Sequence, residues 1–133
     1  MIIVDVAKAK ALHLAGYNFQ TEFYWVWSHG KTPSLLDARH ASRLLGPWVI
    51  CSAPNIQELW DRLPEGIEHD SELLHMIVKK DAEDYVVEYE GVNCCYGECD
   101  FYYLPGRPEF RDKYLVQALA DCWLGLRERG SIK

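Results

Sequence analysis

Three of the five cysteines lie within one short segment, Cys94-Cys-Tyr-Gly-Glu-Cys99. Zinc prefers thiolate ligands, and a structural zinc site usually takes four ligands that are supplied as two closely spaced pairs. Cys95 and Cys99 have the spacing of one pair, but the sequence has no second pair, because Cys51 and Cys122 are isolated and the five histidines are scattered. A zinc-binding protein that uses Cys94, Cys95 and Cys99 is therefore an alternative hypothesis, and small apolar side chains near a turn are the simpler interpretation.

A cysteine nucleophile paired with a histidine is a second chemical hypothesis. The candidates for such a pair are Cys94 or Cys99 with His69 or His75. A catalytic thiol needs a cationic neighbour or a helix N-terminus to ionise. Cys99 instead lies between Glu98 and Asp100, whose negative charges raise a thiol pKa. A cysteine-dependent hydrolase is therefore kept only as an alternative function.

Acidic residues cluster in Asp81-Ala-Glu-Asp84 and recur at Glu88 and Glu90. Paired carboxylates can perform general acid–base catalysis. Positions in a hairpin turn and along a strand edge are, however, typical of solvation and of edge protection. The sequence has no phosphate-binding glycine loop, nucleophile elbow or helix with paired metal-binding histidines. It therefore favours a protein that is not an enzyme and that uses no cofactor.

The segment Glu22-Phe-Tyr-Trp-Val-Trp27 predicts a β-strand with large rings on both sides. Alternation places Trp25 and Trp27 on one side and Tyr24 on the other. Together with Tyr102, these rings could form a binding patch, because large amphipathic rings supply much of the energy at protein contacts. The alternative is that they complete a small core. The predicted binding residues are Tyr24, Trp25, Trp27 and Tyr102.

Length, composition and charge limit the class of protein. The 133 residues, 49% of them hydrophobic, suit one domain with a substantial core. The formal net charge of −6 argues against a nucleic-acid binder, which needs a basic face. No apolar run approaches the roughly 20 residues of a membrane span, and Asp5 interrupts the apolar start, so neither a membrane segment nor a signal peptide is expected. Five cysteines, an odd number, predict free thiols in the cytoplasm.

The apolar segment 113–130 predicts the helix on which the core is built. Apolar side chains recur along it at helical spacing, at Leu115, Leu119, Cys122 and Leu126. Asp112 is the predicted N-cap of this helix, and Gly130 is predicted to end it.

Three further helices are predicted. One covers residues 6–15 after the N-cap Asp5, and another covers 55–63, where Asn55 and Glu58 have the spacing of a capping box. Thr32-Pro33 predicts the start of a helix that runs to Leu45.

Alternating or continuous apolar residues predict strands at 22–27, 48–51, 73–80, 85–90 and 100–104. Residues 81–84 are predicted to form a hairpin turn, Gly91 to end the strand 85–90, and 65–71 to form a polar loop. These elements predict a single α+β domain over residues 1–133. Its mostly antiparallel sheet would be covered on one face by the helices at 6–15, 55–63 and 113–129.

The order of these elements resembles a group of small proteins of phages and integrated bacterial elements that carry no agreed activity. The resemblance lies in the opening helix that ends at Gly16, in the passage 51–63, and in the closing segment 117–126. It implies a genome context and a fold, and no reaction.

These observations together predict a non-enzymatic interaction module that acts in the cytoplasm through an acidic, aromatic-rich surface. Another protein is the expected partner, and formation of a homodimer is left open. Neither nucleic acid nor a membrane is expected as a partner.

Overall fold

The computed structural model describes residues 1–28, 31–38, 49–95, 97–102 and 106–132. The described part contains three helices and eight strands. In chain order they are α1 (Val6–Leu14), β1 (Phe23–Ser28), β2 (Thr32–Asp37), β3 (Val49–Ala53), α2 (Ile56–Asp61), β4 (Gly66–His69), β5 (Glu72–Asp81), β6 (Asp84–Cys95), β7 (Glu98–Tyr102), β8 (Glu109–Asp112) and α3 (Leu115–Glu128).

The strands form two antiparallel sheets. The smaller sheet has the order β2-β1-β3, and the larger has the order β4-β5-β6-β7. Strand β6 is central in the larger sheet, because β5 pairs along one side of it while β7 and β8 share the other side. The predicted α+β domain is confirmed, with two sheets where the sequence predicted one.

Helix α3 lies against β6, β8 and α2 and contributes seven of the 18 buried residues that the structure describes in the core cluster. Its fully buried side chains include Val116, Leu119, Cys122, Trp123 and Leu126. The predicted helix is confirmed, and Gly130 ends it with a φ of +81°. Asp112 is not the N-cap, because it belongs to β8; the N-cap is Tyr114, whose N–H donates to Asp112 Oδ1 at 2.9 Å.

Helices α1 and α2 start where their caps predict. The Asp5 side chain accepts from the Lys8 N–H at 2.7 Å. In α2 the capping box is complete, since Asn55 Oδ1 accepts from the Glu58 N–H at 2.8 Å and Glu58 Oε1 accepts from the Asn55 N–H at 3.0 Å. These caps satisfy backbone donors that a helix N-terminus otherwise leaves free.

The predicted helix from Thr32 is wrong over its described part. Residues 32–37 form strand β2, which pairs with β1 along its whole length; the rest of the predicted helix, residues 39–45, lies outside the described residues. Pro33 is compatible with a strand here because, among the described residues, β2 is an edge strand, the position in a sheet where proline is tolerated. Pairing with a distant segment has therefore overridden the local helix signal.

Two further predictions are wrong in the larger sheet. The predicted polar loop at 65–71 contains strand β4, which pairs with β5. Gly91 does not end its strand, and β6 continues to Cys95. The glycine is needed here for packing and does not mark a strand end. A Cβ at Gly91 would lie 2.1 Å from Cζ of Tyr102, so only glycine leaves room for the Tyr102 ring over β6.

A second glycine, Gly125, allows α3 to approach β8, and it provides a test of this packing. A Cβ at Gly125 would lie 2.3 Å from Cε1 of Phe110. Alanine favours a helix by about 1 kcal/mol over glycine, but overpacking a core contact costs roughly 1–3 kcal/mol. We expect Gly125→Ala to lower the free energy of unfolding in urea. In a Phe110→Ala background the same change should become neutral or stabilising, and equal stability of Gly125→Ala and wild type would contradict the packing.

Candidate functional site

The aromatic strand β1 lies at the centre of the smaller sheet. Antiparallel pairing places Trp25 opposite Leu35 and Trp27 opposite Pro33, so these four side chains share one face. On the other side of β1, Trp25 pairs with Cys51, which is buried. Helix α1 contacts β3, and it therefore lies at the β3 side of this sheet.

Trp25 is held in place by a hydrogen bond and by packing. Its Nε1 donates to the Val4 carbonyl at 3.1 Å, and its half-buried ring packs against the core. Trp27 is more open, with 38% of its surface exposed, and the Lys10 ammonium lies 5.4 Å from its ring centroid. Of the two tryptophans that the sequence indicated, Trp27 is thus the one that is accessible for contact.

Trp27, Pro33 and Leu35 form an exposed apolar surface, which we call the apolar shelf. Leu35 is 41% exposed, and Pro33 is also exposed. The sequence did not indicate Pro33 and Leu35, because their segment was predicted to be a helix. The structure alternates the exposed Pro33 and Leu35 with the half-buried Ser34 and Leu36, but the adjacent Leu35 and Leu36 hide this alternation in the sequence.

The other predicted binding residues do not lie on the shelf. Tyr24 points to the opposite face of β1 and is half-buried, beside a shallow depression of about 390 Å³ that Val49, Ile50 and Ser52 also line. Tyr102 belongs to β7, in the larger sheet. The structure therefore distributes the four predicted residues over two sheets and does not join them into one patch.

Tyr102 has a partner of its own within the larger sheet. Its hydroxyl donates to Glu72 Oε2 at 2.5 Å, and this hydrogen bond raises the pKa of the phenol above its usual value. The ring covers Gly91, so it spans from β7 across β6 toward β5. Its 38% exposure leaves one side of the ring open to solvent.

The cysteine cluster is described only through its backbone. Cys94 and Cys99 are directly paired in the β6–β7 register, while the side chains of residues 93–95 and 99–100 lie outside the described residues. Within the described part, no three histidine, cysteine, aspartate or glutamate side chains are grouped so that they could hold a metal ion.

The two cysteines whose side chains are described are poor nucleophiles. Cys51 and Cys122 are free and buried. Burial raises the pKa of Cys51, and it raises the pKa of Cys122 to about 12. Both thiols therefore remain protonated at neutral pH.

A charged cluster on β6 was not recognised in the sequence. Glu88 and Glu90 are only 1% and 5% exposed, because β6 is a central strand; the interpretation of these acids as edge residues is wrong. Lys79 Nζ lies 2.6 Å from Glu88 Oε1, and Arg107 Nη2 donates to Glu88 Oε2 at 3.0 Å. Arg107 also contacts Glu109 Oε2 at 3.3 Å.

The chemistry of this cluster is that of compensated charges. Burial alone would raise the pKa of the Glu88 carboxyl, but its contacts with Lys79, Glu90 and Arg107 outweigh burial and hold that pKa below its usual value. A general acid or base needs a pKa near the working pH. Glu88 is shifted away from it, so the cluster is suited to holding β5, β6 and the segment before β8 together.

No protein-family model, no curated protein and no solved structure matches this chain. None of the described helices is both long and apolar enough to cross a bilayer.

Proposed function

We propose that this protein is a non-enzymatic interaction module, of the kind encoded by phages and integrated bacterial elements, and that it binds another protein through the apolar shelf. The observation that carries the proposal is the joint exposure of Trp27 and Leu35, at 38% and 41%, on one face of the smaller sheet. Tryptophan is among the residues most enriched where binding energy is concentrated.

The backbone beside the shelf supports the same conclusion. Strand β2 pairs with β1 on one side and is an edge of its sheet within the described residues. Edge strands carry unpaired N–H and C=O groups, to which an extended segment of a partner can add as a further strand. Pro33 withholds one donor, so the register of such a strand would be restricted.

The charges near the shelf indicate the chemistry of the partner. The chain has a formal net charge of −6, yet the cations Lys10 and Lys31 lie at the Trp27 end of the shelf. A partner segment with an apolar anchor for the shelf and an acidic residue beside it would complement this arrangement.

Two substitutions on the shelf test the proposal against a matched control. We expect Trp27→Ala and Leu35→Ser to abolish capture of a partner from a lysate of the native host, since loss of a central anchor costs about 2 kcal/mol or more of binding. Trp60→Ala removes a tryptophan of similar exposure, 40%, from α2 and should leave capture unchanged. The measurement is affinity capture with quantitative mass spectrometry, and each variant is first checked for an unchanged melting temperature.

Three outcomes would contradict the proposal: equal capture by wild type and Trp27→Ala, equal loss in Trp60→Ala, or no partner retained by any variant. A second copy of the chain is the other occupant that the shelf could accept. Sedimentation velocity separates the two cases, because a wild-type dimer that Trp27→Ala converts to a monomer would identify the shelf as a homodimer contact.

A further inference from the structure

Tyr17 is a buried phenol whose hydroxyl has no hydrogen-bond partner among the described residues. The residue is 1% exposed, and its ring makes edge contacts with Phe19 and Trp123 at centroid distances of 4.9 and 5.2 Å. Buried tyrosine hydroxyls nearly always find a partner, because an unpaired one gives up its bond to water without compensation. The hydroxyl therefore marks a place where a partner molecule would be stabilised.

A crevice of about 290 Å³ lies between Tyr17 and helix α2. Gln20, Glu58, Asp61 and Arg62 also line it. Burial is the largest effect that raises the pKa of the Tyr17 phenol; the charges of Glu58 and Asp61 raise it further, and the charge of Arg62 lowers it. The charged residues that act on the hydroxyl are thus the same ones that line the crevice. The hydroxyl stays protonated at neutral pH, so it can donate a hydrogen bond there.

Arg62 provides further donors beside this hydroxyl. Its guanidinium carbon lies 3.7 Å from the ring centroid of Phe19, which holds the group in place by a cation–π contact. Within the described residues the guanidinium forms no ion pair or hydrogen bond. A planar guanidinium of this kind is suited to a carboxylate.

The two acids of the crevice differ in how many of their carboxylate oxygens already accept a hydrogen bond. Both carboxylate oxygens of Glu58 are occupied, by the N–H groups of Asn55 and Glu22 at 3.0 Å each. Asp61 is exposed and accepts from the Gln57 amide on Oδ1 at 2.7 Å, and among the described residues its Oδ2 accepts no hydrogen bond. The crevice is thus lined by donors on Tyr17 and Arg62 and by an acceptor with negative charge on Asp61.

We propose that this crevice binds a small zwitterion of the amino-acid type, with its carboxylate on Tyr17 and Arg62 and its ammonium group on Asp61. A volume of about 290 Å³ limits the ligand to a small molecule. Neither charged half should bind well alone, because the two acids repel a lone anion and Arg62 repels a lone cation. This inference is independent of the apolar shelf, which lies on β1 and β2.

The experiment is a ¹⁵N–¹H NMR titration of the full chain with glycine, and separately with acetate and methylammonium as the two halves. We expect saturable shifts at residues 17–20 and 58–62, with glycine binding at least tenfold tighter than either half. Tyr17→Phe should weaken glycine binding at least tenfold without lowering the melting temperature, because the hydroxyl that it removes is unpaired in the free protein.

Arg62→Gln changes an exposed side chain and should also weaken glycine binding at least tenfold, whereas Arg129→Gln is the control and should leave it unchanged. The proposal is overturned by absence of saturable glycine binding, by acetate or methylammonium binding as tightly as glycine, or by wild-type affinity in Tyr17→Phe. Shifts that saturate elsewhere in the chain would overturn it as well.

Discussion

Glu88→Gln is expected to lower the free energy of unfolding by roughly 3 kcal/mol, since removal of one partner from a buried ion pair costs about 3–5 kcal/mol. The value lies at the lower end because the Lys79 side chain is 41% exposed and can turn toward water. Arg107 has less freedom, since only 18% of its side chain is exposed. The measurement is urea unfolding at pH 7 and at constant ionic strength.

The pH dependence of this effect has a defined sign. The pKa of Glu88 is lowered in the folded protein from an ordinary value of 4.5. A group whose folded pKa is depressed contributes stability above its unfolded pKa and loses it as pH falls through the folded pKa. The difference between wild type and Glu88→Gln should therefore be constant above about pH 5 and should shrink below pH 4.5 as the carboxylate is protonated.

Glu109→Gln is the matched control for Glu88→Gln. Glu109 also contacts Arg107, at 3.3 Å, but its side chain is 37% exposed. Exposed ion pairs contribute about 0–1 kcal/mol, so this variant should stay within about 1 kcal/mol of wild type. Equal costs for the two variants would show that burial of Glu88 does not control the stability of the cluster.

The parts of the fold that could be predicted are those that a few neighbouring residues decide. The capping box of Asn55 and Glu58 forms as its spacing predicts, because both hydrogen bonds lie within four consecutive residues. Of the apolar repeat predicted for α3, Leu119, Cys122 and Leu126 are buried, and Leu115 is half-buried. The hairpin of β5 and β6 forms at its predicted turn, since the two strands are adjacent in sequence.

The parts that could not be predicted depend on distant partners. Thr32-Pro33 is an acceptable helix start, and only pairing with β1 makes it a strand. Gly91 is an ordinary strand terminator until the Tyr102 ring is placed over it. The buried charge of Glu88 is compensated by Lys79 and Arg107, which meet it from other segments, and no pattern local to β6 contains that information.

The candidate contact surface was half predictable for the same reason. Alternation along β1 correctly separates Tyr24 from Trp25 and Trp27. Alternation does not tell which of the two tryptophans is covered by the rest of the chain. It also cannot identify Leu35 as part of the surface, because the segment of Leu35 was predicted to be a helix. The pairing register supplies Leu35, because it places Leu35 opposite Trp25, on the same face as Trp27, and among the described residues β2 is at the edge of the sheet.

Trp123→Ala is expected to have the largest effect on stability of any single substitution in α3. Trp123 is 2% exposed, and its ring contacts Tyr17 edge-on at 5.2 Å. Replacement of a buried tryptophan by alanine costs roughly 3–5 kcal/mol, from lost transfer energy and from the cavity that remains. Because a domain of this size is stable by only about 5–15 kcal/mol, the variant should be partly unfolded at moderate temperature.

Trp60→Ala separates this cavity effect from the loss of a tryptophan as such. Trp60 is 40% exposed on α2, so its replacement should cost about 1 kcal/mol or less. Thermal unfolding followed by circular dichroism compares the two variants at equal protein concentration. If Trp123→Ala unfolds at the same temperature as Trp60→Ala, then α3 cannot be the buried helix on which the core is built, since a buried indole and a half-exposed one would then contribute alike.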